Sequence, residues 1–331
     1  MAATNSGIFG ITMGDSSGVG PEIVLHAYKN GELRHLNVVF GDISVLDYYN
    51  RRLGYDVPLR AVESVGGWIG GSLNVIDFDL LKTADLTPGE INRKSGAAAR
   101  AYIVAAAKAA LNGQIAAMVT LPVNKEATQL SDPSFVGHTE LIGEVCGVKD
   151  VTIMLVSEQL IVTHVTTHVS LAAAIALVKQ DRIKKIIRMT VEAVSKLRDN
   201  PRIAVAGLNP HAGENGLFGR EDIDEIRPAV EWAQSQGMPV EGPVPPDTAF
   251  YLAVRKKRYD AIVCMYHDQG HIPLKLLDFE AGVNVALGLP IIRTSVDHGT
   301  AFDIAGKGIA STASLVSALE FAARLLQRST Q

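Results

Sequence analysis

The stretch Ala261-Ile262-Val263-Cys264-Met265-Tyr266-His267-Asp268-Gln269-Gly270 joins an apolar run to a group of ionisable residues. The apolar run predicts a buried strand of a parallel sheet, and α/β enzymes place their chemistry at the carboxyl ends of such strands. His271 and Lys275 follow directly in the same segment. Crowding imidazoles, a carboxylate and an amine together has a desolvation cost that a ligand, a metal or a reaction would offset. The stretch therefore predicts an enzyme.

Further apolar runs alternate with helical sequence along the chain, which predicts a parallel α/β sheet. Two β-branched runs separated by Ser157-Glu158-Gln159 depart from this pattern and predict a hairpin over 151–167. The runs at 283–286 and 291–295 predict either another strand pair or an added sheet edge. The remaining strands are predicted at 9–13, 37–40, 115–120, 202–206 and 261–265, and the clearest helices at 21–29, at 93–111 behind Asn92, and at 315–326 behind Ser314.

Size and composition favour a soluble protein with two lobes. With 331 residues, 47% of them hydrophobic, the chain is longer than one compact core usually accommodates. No linker or repeat divides the sequence, so the lobes are expected to share a continuous core with chain segments that cross between them. The formal net charge of -4 argues against nucleic acid and anionic lipid as partners.

Three features predict a cytoplasmic location. Cys146 and Cys264 both lie in apolar segments, which is typical of buried thiols in a reducing compartment. The N-terminal residues lack the basic start and the long apolar run of a secretory signal. The most apolar long segment, 97–111, contains Arg100 and Lys108, and it therefore predicts a helix of a soluble protein and not a membrane span.

Two glycine-rich segments invite a nucleotide-binding interpretation that their spacing does not support. In Gly14-Asp15-Ser16-Ser17-Gly18-Val19-Gly20-Pro21 the third glycine of the dinucleotide fingerprint is replaced by Ile23. Gly306-Lys307-Gly308 lacks the leading glycine and the Ser or Thr of a P-loop. The first segment could still hold an anion on the amides of the following helix, although glycines of a tight turn are the simpler interpretation.

Histidines follow three of the predicted strands. His164 and His168 lie on or just after the second strand of the hairpin, while His211 and His267 each follow another strand. A single histidine at such a place is more often structural, but three of them fit a divalent ion with an open face for substrate. No cysteine array competes, so a metal here would be catalytic.

Other polar residues are candidates for binding an anionic ligand. His138 and Thr139 open a predicted helix, where a threonine cap is the simpler interpretation. Asp247 stands at another helix start, as a candidate N-cap. A clamp for phosphate or carboxylate could come from three residues that would otherwise be ordinary surface residues, namely Lys275, Asn284 and Arg293.

Together these segments resemble the 4-hydroxythreonine-4-phosphate dehydrogenase family of vitamin B6 biosynthesis, from Ile11 to Ala310. The resemblance implies an α/β, isocitrate/isopropylmalate dehydrogenase-like fold, distinct from the standard Rossmann fold, with two lobes around a central cleft. It implies a cofactor lobe of residues 1–125 and 270–331, a substrate, metal and dimerisation lobe of residues 126–269, and an obligate homodimer with a shared active site. The most specific motifs are Gly137-His138-Thr139-Glu140, Asn209-Pro210-His211-Ala212-Gly213-Glu214, Tyr266-His267-Asp268-Gln269-Gly270 and Arg293-Thr294-Ser295-Val296-Asp297-His298-Gly299-Thr300-Ala301.

The resemblance also implies roles for individual residues. The metal ligands would be His168, His211 and His267. Contacts with substrate would come from His138, Thr139, Lys275, Asn284 and Arg293. NAD, or alternatively NADP, would bind to the glycine-rich loop 298–307 through His298, Gly299, Thr300, Asp303 and Gly306. Imidazole ligands favour zinc, with manganese, cobalt or magnesium as alternatives.

The implied reaction is the oxidation by NAD of the C3 secondary alcohol of a 4-phosphorylated hydroxy acid, followed by decarboxylation. The alcohol would be activated at the metal ion, and the same ion would stabilise the charge left when carbon dioxide departs. Lys125, Asp247 and His138 are candidates for the base that takes the alcohol proton. Lys125 is preferred by analogy with the superfamily.

One departure from the family pattern concerns the substrate. Residues 271–275 read His-Ile-Pro-Leu-Lys, where the vitamin-pathway enzymes typically carry Leu-Pro-Val-Leu-Lys. This is more similar to the paralogous branch that oxidises 4-phospho-D-threonate or 4-phospho-D-erythronate. Two alternatives stay open. One is a terephthalate-type dihydrodiol dehydrogenase, which needs no phosphate, and the other is a non-catalytic metabolite-binding protein, which the intact histidines and loop disfavour.

Overall fold

The structure, a computed structural model, describes residues 7–278 and 282–329. The strands are β1 (Phe9–Thr12), β2 (Asn37–Gly41), β3 (Leu59–Val62), β4 (Leu73–Asp77), β5 (Ala117–Thr120), β6 (Thr152–Val156), β7 (Ile161–His164), β8 (Ile203–Ala206), β9 (Val240–Val244), β10 (Ala261–Cys264), β11 (Val283–Leu287) and β12 (Arg293–Val296). The α-helices are α1 (Gly20–Lys29), α2 (Ile43–Leu53), α3 (Arg93–Leu111), α4 (Lys125–Gln129), α5 (His138–Cys146), α6 (Leu171–Leu177), α7 (Gln180–Ser195), α8 (Arg227–Ser235), α9 (Pro246–Val254), α10 (His267–Leu277) and α11 (Ala313–Ser329).

The chain forms two compact units, one of Met1–Val151 with Leu289–Thr330 and one of Thr152–Gly288. Both boundaries fall later in the chain than the boundaries expected from sequence, after residues 125 and 269. The first moves because α4 and α5 pack on α3 of unit 1. The second moves because β11 pairs with β6 of unit 2. The first unit is discontinuous in the chain.

In unit 1 the described strands pair in parallel in the order β3-β4-β2-β1-β5-β12. β1, β2, β5 and β12 are buried along their whole lengths. β1, β2 and β5 are apolar runs or nearly so, because helices cover both faces of a parallel sheet, whereas the buried β12 carries Arg293, Thr294 and Ser295. Thr12 of β1 lies beside Thr120 of β5, so polar side chains line the carboxyl edge.

In unit 2 the described strands follow the order β11-β6-β7-β10-β8-β9. The β6–β7 pair is the hairpin predicted over 151–167, and β11 joins β6 in antiparallel fashion. β7, β10, β8 and β9 are parallel to one another. Since carboxyl ends of parallel strands meet at one edge, the segments after His164, Ala206 and Cys264 begin at the same edge of this sheet.

The start of α3 is the helix boundary that the sequence predicts most accurately. The Asn92 side chain accepts hydrogen bonds from the backbone N–H groups of Lys94 and Ser95, as an N-cap does. The prediction for α11 was less accurate, because Ser314 lies inside the helix and its Oγ accepts from the Asp297 N–H, at 3.2 Å. None of the described helices has the length and apolar character needed to cross a membrane.

The contact between α3 and α4 depends on Gly96. A Cβ atom there would lie 2.3 Å from the carbonyl carbon of Ala127 and 2.4 Å from the nitrogen of Thr128, both of which are backbone atoms. Alanine in place of a mid-helix glycine normally stabilises a helix. Here the steric overlap decides the sign, because backbone atoms cannot move aside as a side chain can.

We predict that Gly96→Ala lowers the free energy of unfolding by about 1–3 kcal/mol, the usual cost of overpacking. Urea denaturation measures the change. Gly66→Ala is the matched control, since its new Cβ would meet nothing nearer than the Ser64 Oγ at 3.9 Å. An unchanged midpoint for Gly96→Ala would show that α3 and α4 separate without cost.

Candidate active site

Four histidines lie together in unit 2. His164 ends β7, His168 follows in the next loop, and His267 and His271 lie in the first turns of α10. The ring centroids of His168 and His267 are 5.8 Å apart. His271 stacks on His267 with centroids 3.5 Å apart and planes inclined by 10°. The structure therefore brings together two of the three predicted metal ligands, His168 and His267.

His267 has the hydrogen bonding that a metal ligand requires. Its Nδ1 lies 2.6 Å from Oδ1 of Asp268. Because a carboxylate only accepts hydrogen bonds, the Nδ1 atom must carry the proton, and this leaves the Nε2 lone pair available to a cation. Metal-binding histidines commonly have a carboxylate on the nitrogen remote from the ion.

The third predicted ligand, His211, lies in a segment of left-handed backbone between β8 and α8. Its side chain is 62% exposed, and its Nδ1 lies 3.3 Å from Oε2 of Glu214. Within the described part of a single chain, no three histidine, cysteine or carboxylate groups are placed to hold a metal ion. His211 is thus not brought into a group with His168 and His267, and its metal role stays a prediction.

His164 and His271 were noted among the ionisable residues at the strand ends but were given no role of their own. Both are buried, and burial holds the pKa of His164 well below its ordinary value, with the positive charges that His271 and His267 could carry acting in the same direction. His164 is therefore neutral. The Nδ1 of His271 lies 3.0 Å from the His267 carbonyl oxygen, and because a carbonyl oxygen only accepts, Nδ1 is the donor. Its spacing of four residues from His267 was the available signal, since such residues share one helix face.

Unit 1 holds a second set of predicted site residues around Arg293. This arginine opens β12, is buried, and donates from Nη2 to Oγ1 of Thr120 at 2.7 Å. Burial lowers its pKa to about 10, and the negative charge of Glu140 acts in the opposite direction. A guanidinium with that pKa is still charged at neutral pH, so it can bind an anion.

His138 begins α5 beside this guanidinium. Gly137 is the N-cap, so the alternative of a threonine cap at Thr139 is wrong, and Thr139 lies in the first turn. Burial, and then the charge of Arg293, lower the pKa of His138 to about 3. Its Nε2 is buried and has no hydrogen-bond partner among the described residues. A neutral imidazole with an unused nitrogen suits hydrogen bonding to a ligand.

The other candidates are placed as follows. Lys125 begins α4, and its Cε lies 3.9 Å from where a Cβ of Gly137 would stand. Asp247 is exposed in the first turn of α9. The N-cap of that helix is Pro245, so the predicted cap at Asp247 is wrong, because Pro246 occupies the first helical position that proline favours. Lys275 in α10 and Asn284 in β11 are both partly buried.

The predicted cofactor loop 298–307 is fixed on α1 and α2. The carbonyl oxygen of Thr300 accepts from the Val19 N–H at 3.0 Å, and that of Gly306 accepts from Arg52 Nε at 3.2 Å. The Gly308 N–H donates to Oε2 of Glu22 at 3.2 Å. Gly18 is needed for this packing, since a Cβ would lie 2.8 Å from the Thr300 oxygen. This supports the tight-turn interpretation of the 14–20 segment.

Three comparisons bear on the class of protein. D-threonate 4-phosphate dehydrogenase from Cupriavidus necator is 43% identical over 327 residues, 97% of this chain and 98% of that protein. A 4-hydroxythreonine-4-phosphate dehydrogenase structure from Klebsiella pneumoniae has a TM-score of 0.88 and 42% identity, covering 97% of this chain and 100% of that one. A terephthalate 1,2-cis-dihydrodioldehydrogenase from Burkholderia xenovorans has a TM-score of 0.67 and 33% identity, covering 95% and 97%.

The fold and these similarities place the chain in a class of α/β proteins that includes named dehydrogenases. The family described as "Pyridoxal phosphate biosynthetic protein PdxA" matches residues 34–322. The chain belongs to this family, which confirms the resemblance inferred from the motifs.

The lowered pKa of His138 predicts a pH dependence of stability. Between about pH 3 and the ordinary histidine value of 6.5, the unfolded chain binds a proton that the folded imidazole does not. The free energy of unfolding therefore rises with pH across this window, by up to about 1.4 kcal/mol per pH unit from this group. His138→Gln should reduce the slope by up to that amount.

Urea titrations from pH 4 to pH 8 measure this slope. Above about pH 7.5 the imidazole is neutral in both states, so there the curves of the two proteins should run parallel and serve as an internal control. Equal slopes for the two proteins below pH 6.5 would contradict the assignment of a neutral, buried His138.

Proposed function

We propose that this protein catalyses the NAD-dependent and divalent-metal-dependent oxidation of the C3 alcohol of a 4-phosphorylated hydroxy acid, followed by decarboxylation. The observation that carries the proposal is the pairing of His168 with His267, whose Nδ1 is held by Asp268. Family membership and the named dehydrogenases among its relatives support the reaction class. We also propose that the two lobes have an isocitrate/isopropylmalate dehydrogenase-like fold and that the protein is cytoplasmic.

The donor set fits a divalent transition ion. Imidazole nitrogens are suitable ligands for zinc, cobalt or manganese, and Asp268 and Glu214 each lie at the Nδ1 of a predicted ligand. His168, His211 and His267 would hold the ion. When bound, it would polarise the substrate oxygens and offset developing negative charge.

A second copy of the chain would supply the remaining ligand. A single chain brings His168 and His267 together. Its exposed His211 lies outside that group and would serve the metal site of another copy. Unit 2 also exposes apolar side chains that a partner would cover, and Phe218 among them lies 6.4 Å from the His211 ring. These side chains are Val169, Leu171, Ile175, Leu177, Leu217, Phe218, Ile272 and Leu276. A homodimer with a shared active site accounts for both observations.

Residues of unit 1 would bind the anionic end of the substrate. Arg293 offers a buried charge, and the neutral His138 beside it offers a hydrogen bond without adding a second positive charge. Thr139 of the same unit would complete these contacts, while Lys275 and Asn284, which belong to unit 2, stay predicted substrate contacts. Binding energy from this remote group would position C3 for hydride transfer. NAD, held by the loop 298–307, would accept that hydride.

Lys125 is the proposed proton acceptor for the C3 hydroxyl. A histidine whose pKa lies near 3 is a poor base, so His138 is better suited to orienting the substrate. Asp247 is the remaining candidate. Lys125 lies beside the first turn of α5, next to the anion-binding residues, and its Nζ could take the proton there.

We favour 4-phospho-D-threonate or 4-phospho-D-erythronate over 4-hydroxythreonine 4-phosphate as substrate. The departure at His271 lies against a predicted metal ligand and not on a remote surface. The D-threonate 4-phosphate dehydrogenase at 43% identity supports this branch. A terephthalate-type dihydrodiol dehydrogenase is the second candidate, favoured by the similar structure with a TM-score of 0.67.

A substrate panel tests the function. Purified protein, stripped of metal and then reloaded with zinc, manganese or cobalt, is incubated with NAD and each phosphorylated acid or the terephthalate dihydrodiol. We expect NADH absorbance and carbon dioxide release with a phosphorylated acid, and only after metal is restored. Turnover of the dihydrodiol alone would establish the second candidate. Full activity in the stripped protein would exclude the metal role.

Arg293→Met tests the anion site. A hydrogen bond to a charged group contributes about 1.5–3 kcal/mol, so the variant's preference for phosphorylated over dephosphorylated substrate should fall about 10- to 150-fold in kcat/KM. Arg258→Met, which removes an exposed guanidinium that binds Glu241, is the matched control. An unchanged preference would show that Arg293 does not contact the phosphate.

A further inference from the structure

The segment that carries His211 has an unusual backbone. Pro210–Gly216 is a short helical segment in which His211, Ala212, Gly213, Glu214 and Asn215 all have left-handed φ and ψ. The φ values of His211, Glu214 and Asn215 are 53°, 42° and 55°. Residues other than glycine adopt this conformation rarely and singly, because Cβ approaches the following carbonyl oxygen. Five consecutive left-handed residues, four of them not glycine, require an external restraint.

The buried carboxylate of Asp222 supplies that restraint. It is fully buried and accepts hydrogen bonds from the backbone N–H groups of Leu208 and Asn209, at 2.8 and 3.1 Å. Its Oδ2 also accepts from Nδ2 of Asn209, at 3.0 Å. These contacts fix the chain immediately before the left-handed turn. A buried carboxylate with several N–H donors holds a loop more firmly than neutral partners would.

The turn is also packed closely on the end of β8. A Cβ on Gly207 would lie 2.7 Å from Oδ1 of Asp222 and 2.9 Å from Cα of Ala212. After the turn, the Leu217 and Phe218 N–H groups donate to the carbonyl oxygens of Glu214 and Gly213, each at 3.2 Å. Close packing therefore holds the start of the turn, and backbone hydrogen bonds hold its end.

One consequence of the left-handed path is the position of Glu214. It lies three residues after His211, and its carboxylate reaches back to Nδ1 of the same imidazole at 3.3 Å. The two side chains are 62% and 51% exposed, so this pair does not serve the core of the unit. A carboxylate at Nδ1 favours the tautomer with the proton on that nitrogen, which leaves Nε2 as the nitrogen that could bind a metal ion.

We propose that the left-handed turn 211–215, held by Asp222, is a preformed support that presents the His211 imidazole to the metal ion, with Glu214 and Asp222 as its positioning residues. The inference rests on the proposed metal-dependent function and specifies how the third ligand is delivered. Strained backbone that the surrounding structure maintains is concentrated at functional sites, where it fixes geometry in advance of binding.

Substitutions at Asn215 separate backbone from side-chain effects. Asn215 is exposed, so its side chain contributes little to packing. Valine is β-branched and strongly disfavours positive φ, whereas glycine accepts it readily. Asn215→Val should weaken the binding of Co²⁺ to the metal-stripped full-length protein about tenfold or more, and Asn215→Gly should leave it within about twofold.

Cobalt titration followed by visible absorption measures this affinity without reference to turnover. At saturating cobalt, Asn215→Val should regain most of its kcat, because the ligand itself is still present. Equal cobalt affinity for Asn215→Val and the unaltered protein would overturn the proposal. Equal losses of cobalt affinity for the valine and glycine variants would also overturn it. Such a result would assign the effect to removal of the Asn215 side-chain amide and not to the backbone.

Glu214→Gln tests the positioning carboxylate. Loss of such a partner typically reduces metal affinity 10- to 100-fold, and the exposure of Glu214 makes a change in thermal stability unexpected. Glu231→Gln in α8 removes an equal charge from an exposed site of the same unit and is the matched control. Equal affinities for the two variants would remove Glu214 from the proposal.

The same titration distinguishes failure of this inference from failure of the proposed function. If the unaltered protein takes up cobalt and His211→Ala does not, the metal site stands, and the Asn215 variants decide the role of the turn. If the unaltered protein takes up no cobalt, the metal-dependent function and this inference both fall.

Discussion

An imidazole binds a cation only when it is neutral and when its proton sits on the nitrogen that faces away. The candidate site depends on this constraint. His267 meets the second condition through Asp268, its neighbour in sequence, and His211 through Glu214, which reaches back over a left-handed turn. Burial keeps His164 neutral, so it adds no positive charge near His267 that would repel a cation. In each case a short-range contact sets the tautomer, while long-range packing sets where the ring lies.

In unit 1 the buried charged group is itself a cation, the guanidinium of Arg293. Removing a guanidinium from water is costly, and the structure offsets this at Arg293 with Thr120 and the nearby charge of Glu140. The same burial keeps His138 neutral, so the two groups do not repel. An anionic substrate would further stabilise this arrangement. The imidazoles suit a cation and the guanidinium suits an anion, as the proposed metal-dependent oxidation of a phosphorylated acid would require.

Much of the fold was predictable because its signals are local. A strand covered on both faces is an unbroken apolar run, so β1, β5 and β10 stand out, and the Asn92 cap marks the first residue of α3. β3 and its neighbour β4 were not predicted. β3 is exposed or only partly buried along its length and has no such apolar run. The unit boundaries were displaced because the pairing of β11 with β6 joins distant parts of the chain and leaves no local pattern.

The candidate site was predictable in its residue types but not in its geometry. Chemically active side chains follow strands that end at one sheet edge, and this rule led to His164 or His168, to His211 and to His267, among which the family resemblance selected His168. It could not reveal the turn at 211–215, because only Gly213 adopts left-handed backbone without strain, and Asn or His does so as a single residue and not in a run. The preference of the others is overridden by Asp222, a residue outside any local window. A segment whose own sequence opposes its conformation must derive that conformation from tertiary contacts, and those contacts are maintained here for an exposed histidine that the core of the unit does not need.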